Sequence, residues 1–152
     1  PMSDLYDTDI YAWAMRQAEA LRRRSGNELD WDNLAEEIES VGKSELRELR
    51  SRYVVLLAHL LKWAAQPERR GSSWRIAITT QRRLISEHLG ERPSLKQKRD
   101  EAFAKAYFEA VSQAALETGL ERESFPATNP FTLARAMDEG FWPESAGEAA
   151  TD

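Results

Sequence analysis

Leu46, Leu49, Tyr53, Leu56, Leu60 and Trp63 recur at alternating spacings of three and four residues. That rhythm is the seam of a packed α-helix, and a β-strand cannot carry it. Val54, Leu57 and Leu61 widen the seam on one side, and Val55 and Ala58 extend apolar character toward the other. A helix apolar on more than one flank must be covered by neighbours on more than one flank. The segment around RYVVLLAHLLKW, Arg52 to Trp63, is therefore expected to be the central helix of a bundle. It must end near Gln66-Pro67, because a residue before proline avoids the helical region.

The rest of the chain fits helical neighbours. There is no run of period-two alternation and no Asn-Gly or Asp-Gly hairpin turn. A first helix is expected from about Asp9 to Arg24, capped by Asp7 or Thr8, with Ile10, Trp13, Ala14, Ala18 and Leu21 facing inward. A second starts near Asp30 or Asp32 with Leu34, Ile38 and Val41 inward. Gly42 then stops or weakens it, at a cost of about 1 kcal/mol relative to alanine, and Ser44 can cap a restart. Another helix runs from about Ser73 to His88 and stops at Gly90. Ser94 with Gln97 forms a capping box for a long helix carrying Leu95, Phe103, Ala106, Tyr107, Ala110, Val111 and Ala114, which closes at Thr118-Gly119. A short helix from Thr132 to Met137 and an apolar strap, Phe141-Trp142-Pro143, follow. The expected fold is all-α: a bundle of four main helices with a C-terminal short helix and strap, one domain over residues 1–144, and a disordered tail over 145–152.

Composition narrows the chemistry. The 152 residues contain no cysteine, which excludes disulfides, thiolate metal sites and cysteine nucleophiles. Neither histidine has an acid three residues before it, as a helical di-iron site requires, and two histidines are few for zinc. No metal and no cofactor is expected. No apolar stretch approaches the roughly 20 residues that span a bilayer. Asp4, Asp7 and Asp9 stand where a secretory signal would be basic, and Pro1 ahead of Met2 reads as an addition to a natural start. A cytoplasmic protein away from membranes is the expectation.

Several stretches carry a resemblance. LYDTDIYAW, WDNLAEEIESVGKSE, HLLKW, QPERRGSSWR, ETGL with ESFP, and the closing NPFTL and GFWPE resemble the bacterial family catalogued as domain of unknown function 29. The likeness runs from about Leu5 to Glu144. It implies an all-helical single domain from a bacterium, and it implies no activity and no catalytic residues.

His59 sits in the middle of the apolar run. The first reading is structural: an imidazole bonded to a carboxylate from Asp32–Glu39 or to a backbone carbonyl. The second is catalytic. Arg52 and His59 lie seven residues apart on one helix, and the pair resembles the arginine–histidine signature of HEPN ribonucleases, some of them toxins, which cut RNA without a metal. Histidine would move protons near neutrality and arginine would grip the phosphate. Tyr53 stands where that family commonly has a small polar residue, and Arg83 to His88 gives a second match of the same kind.

Charge is blocked along the chain despite a net of −5. Glu28, Asp30, Asp32, Glu36, Glu37 and Glu39 hold the acids, and Lys62, Arg69, Arg70, Arg75, Arg82 and Arg83 the bases. One reading of such blocks is solvated faces, since exposed pairs contribute only ~0–1 kcal/mol. QPERRGSSWR suggests more. Lys62, Arg69, Arg70 and Arg75 with Ser72 and Ser73 surround a turn that opens a helix, where free N–H groups favour an anion. The leading reading is a non-catalytic interaction or regulatory module that binds an acidic protein surface or a phosphate-containing ligand there, RNA included. The alternatives are the ribonuclease and an oligomeric scaffold joined through the strap and the Trp13, Trp31 and Trp142 surfaces.

Overall fold

The computed structural model describes Met2–Glu144, so the expected disordered tail lies outside the described residues. Within them the chain is all-α: no strand is present and four of the six helices are long. The helices are α1 (Met2–Thr8), α2 (Ile10–Arg23), α3 (Trp31–Ala65), α4 (Ser72–Glu91), α5 (Arg99–Thr118) and α6 (Leu133–Met137), with short 3-10 turns between several of them. The chain forms two compact units, Pro1–Glu45 and Leu46–Asp152, and α3 contributes residues to each.

In the first unit, the Asp9 carboxylate caps α2 by accepting from Ala12 N at 3.1 Å. The cap belongs to Asp9 rather than to Asp7 or Thr8, because those two residues end the extra helix α1. The inward stripe differs from expectation. Trp13 is buried, but Ile10, Ala14 and Leu21 are exposed, and the buried line is Trp13, Gln17 and Ala20. An apolar-only count misses Gln17, whose amide accepts from Asp30 N at 2.8 Å and donates to Glu28 O at 3.2 Å. A buried amide is retained where it satisfies backbone groups that would otherwise be stranded. Trp13, read inward in the stripe and as a surface only in the scaffold alternative, is buried and donates to Asp30.

Gly42 does not break α3, which runs unbroken through it. About 1 kcal/mol is too little to end a helix held at both ends. Ser44 therefore caps nothing and bonds back to Val41 O. Ile38 and Val41, expected inward, are exposed.

In the second unit the apolar seam is where the periodicity puts it. Leu49, Tyr53, Leu56, Leu60 and Trp63 are buried, as are Val54, Leu57, Ala58 and Leu61, which makes this half of α3 the innermost element. Ile78 and Ile85 of α4 pack into the same core, with Phe103, Ala106, Tyr107, Ala110, Val111 and Ala114 of α5. The capping box at Ser94 does not form. Residues Pro93–Lys98 wind as a 3-10 helix, and α5 begins only at Arg99 without a side-chain cap. Gly119, at φ 76°, closes α5 in the left-handed conformation that suits glycine. Thr132 caps α6 by accepting from Arg135 N.

Candidate functional site

His59 is half-buried, and its Nδ1 lies 2.8 Å from Val55 O one turn back on α3. The carbonyl can only accept, so Nδ1 carries the proton. Burial holds the imidazole below its ordinary pKa of 6.5, only partly offset by the bond to Val55, so the ring is neutral at pH 7. Arg52 is engaged elsewhere. Its Nη2 donates to Glu48 Oε1 at 2.8 Å, and Glu48 Oε2 lies 3.2 Å from Nδ1 of buried His88 on α4. The Arg52 Nε is buried without a hydrogen-bond partner. Arg52 is thus engaged with Glu48, which also meets His88, the histidine of the second match, rather than with His59.

The basic segment divides into cations used inside the unit and cations left outside. Lys62 is buried; its Nζ meets Glu117 Oε2 at 2.5 Å and lies 5.3 Å from the centre of the Trp74 ring. Lys62 in turn holds the Glu117 carboxyl below its usual range. Arg70 donates from Nε to Trp63 O at 2.7 Å and from Nη2 to Pro143 O at 3.4 Å. Arg82, 3% exposed, donates to Ala136 O at 2.7 Å and Phe141 O at 2.8 Å. These two arginines tie the C-terminal strap to α3 and α4, so the apolar strap is fastened by guanidinium forks as much as by burial.

Arg69, Ser72, Ser73 and Arg75 remain exposed. They surround the start of α4, where Gly71 is the cap residue and no side chain caps the helix. The first turn of a 20-residue helix therefore presents N–H groups without side-chain acceptors, beside two cations. The Arg75 guanidinium lies 5.2 Å from the Trp63 ring centre and 4.9 Å from that of Trp142. Stacking fixes the planar fork in place while leaving it open to solvent.

A cleft of about 980 Å³ opens beside this segment. Leu61, Ala64 and Ala65 at the end of α3 form one wall, and Phe125, Phe131, Phe141 and Trp142 supply aromatic surface. Arg135, Asp138, Glu123 and Glu144 bring charge to it. The Tyr107 hydroxyl donates to Pro126 O at 2.6 Å, and Phe131 packs edge-on against Phe141 at 6.0 Å. Sequence reading missed this cleft. Its residues were legible as an aromatic and proline-rich strap, but a strap that lies flat and one that stands off from α3 have the same sequence pattern.

The family described as Domain of unknown function DUF29 matches residues 5–142. The chain belongs to that family. The match takes in residues of both compact units. No curated protein and no solved structure matches the chain. Among the described residues, no helix of this DUF29 chain is long and apolar enough to cross a membrane.

Proposed function

We propose that the chain is a non-catalytic docking module whose second unit takes an acidic segment of a partner protein. The observation that carries this reading is Trp142. Its ring lies under the exposed Arg75 guanidinium and also lines the aromatic cleft. One side chain is thus shared by a cationic edge and an apolar hollow, which suits a peptide presenting an acidic group next to an apolar one. Arg69, Ser72, Ser73 and the first-turn N–H groups of α4 would hold the carboxylate or a phosphate in its place. Leu61, Phe125 and Phe131 would receive the apolar residue. A hollow of this size is at the upper end of the range that encloses small ligands and accommodates a few side chains. Lys62 and Arg70 would act from behind, by fixing the walls.

The test is a titration of labelled peptides that combine glutamates with one aromatic residue. Arg69→Glu with Arg75→Glu should abolish salt-dependent binding, and Trp142→Ala should weaken binding at every salt concentration. Peptide affinity unchanged in both variants would overturn the reading.

A further inference from the structure

The first unit carries a surface of opposite character. On α3, Trp31, Leu34, Ile38 and Val41 follow spacings of three, four and three, so they form one seam. Trp31 is 65% exposed, Ile38 70% and Val41 64%. A helix seam of this kind normally faces a partner helix, and here three of its four residues face solvent while Leu34 is half-buried. Ala35 and Gly42, both exposed and seven residues apart, stand beside it. A Cβ added at Gly42 would meet nothing within 4 Å, so the backbone there is open to close approach. The Tyr6 hydroxyl donates to Glu37, so α1 reaches α3 on the flank of Leu34 and Val41, while Trp31, Ile38, Ala35 and Gly42 stay exposed.

Charge selects the occupant. The exposed acids Asp32 and Glu39 flank the seam on the side of Ala35 and Gly42, and Lys43, 3.9 Å from Glu39, is the base beside them. The first 45 residues hold eleven acids and five bases. A second copy would bring the same acidic edge against this one, and an anionic bilayer would be repelled. We propose that the open face of α3 over Trp31–Val41 docks one cationic amphipathic helix of a partner protein. The partner's apolar stripe lies on the seam, its backbone approaches over Ala35 and Gly42, and its lysines or arginines meet Asp32 and Glu39. This surface is independent of the second-unit cleft and would serve a partner of the opposite charge.

The probe is a labelled peptide of about 20 residues, long enough to fold on binding, with leucine at heptad positions and lysine elsewhere. A scrambled peptide of the same composition is the control, and binding to the full chain is read by fluorescence anisotropy. The heptad peptide should bind at least tenfold tighter than the scrambled one. Ile38→Asp adds negative charge, so tenfold weaker binding of the heptad peptide isolates the seam from simple charge attraction. Gly42→Leu, which leaves charge unchanged, should weaken it several-fold by blocking close approach, and covers the case in which Ile38→Asp misfolds. Equal binding of the two peptides, or affinity unchanged in both variants, would sink the proposal. So would a wild-type dimer in sedimentation that Ile38→Asp dissolves, because the face would then belong to a second copy.

Discussion

In the unit Leu46–Asp152, α3 is buried along Leu49, Tyr53, Val54, Leu56 to Ala58 and Leu60 to Trp63, with helices and strap packed around it. In the unit Pro1–Glu45, the buried residues among those described are Trp13, Gln17 and Ala20. Exposure is the mirror image. Ile10, Tyr11, Met15, Leu21, Trp31, Ile38 and Val41 are large apolar side chains exposed in the first unit, against Ile76, Phe108 and Leu116 in the second. One unit is held by an apolar core. The other is held largely by hydrogen bonds: Gln17 to the backbone of Glu28 and Asp30, Trp13 to Asp30, and Tyr6 to Glu37. Each such bond contributes only about 1 kcal/mol net, whereas a fully buried leucine contributes roughly 2 kcal/mol and excludes water from its neighbours. The same helix thus changes character along its length, from an exposed apolar face to a structural axis.

The sharpest way to break this contrast is a paired substitution on α3. Leu57 is fully buried, so Leu57→Ala should cost about 2–5 kcal/mol in urea unfolding. Ile38→Ala should cost no more than about 0.5 kcal/mol, because the side chain is already in water. Similar losses from the two would mean that the first unit has a core of its own.

Next in size is the fastening of the strap. Arg82→Met keeps the aliphatic stem but removes the donors to Ala136 O and Phe141 O. Stranding those acceptors should cost about 3 kcal/mol. Proteolysis should then cut between Pro126 and Trp142 before it touches α5. Intact protection of that stretch would show that burial alone holds the strap.

How much of this was legible follows the same division. In the second unit, the apolar period alone located the core: the α5 residues Phe103 to Ala114 and the α3 seam are buried as read. There, every apolar residue on the period had something to pack against. In the first unit the same arithmetic pointed Ile10, Leu21, Ile38 and Val41 inward, and they are exposed. Periodicity marks a face that wants covering and does not say whether this chain covers it. Charge was legible to the same degree. The basic residues were found, but a guanidinium that binds a ligand and one that binds the chain's own carbonyls look identical in sequence, and Arg70 and Arg82 are of the second kind. Of the two partners expected for a structural His59, a carboxylate from Asp32–Glu39 or a backbone carbonyl, the ring bonds the carbonyl of Val55.

A smaller effect tests the hydrogen-bonded unit from within. Gln17→Leu keeps the bulk and leaves Asp30 N and Glu28 O without their partner. The expected cost is about 1–3 kcal/mol. It should appear as faster hydrogen exchange in α2, while amides from Tyr53 to Leu61 exchange as before. If the slow amides of α3 respond equally, the two units unfold as one and their difference is only one of composition.

The smallest effect concerns His59 and separates its two readings. The native ring is neutral because burial depresses its pKa below 6.5, while the unfolded chain titrates near that value. As pH falls below 6.5 the unfolded state takes up the proton first, so this part of the stability is present above that value and is lost on acidification. The slope from one such group is at most about 1.4 kcal/mol per pH unit. His59→Gln, which has no titratable proton, should flatten the fall in urea midpoint between about pH 7 and pH 5. A structural imidazole predicts that flattening, and it predicts that a mixed RNA pool stays intact in EDTA with either protein. Cleavage by the wild type that His59→Gln abolishes would instead move Arg52 and His59 from the architecture of α3 into chemistry, and the second unit would then be an active domain rather than a docking one.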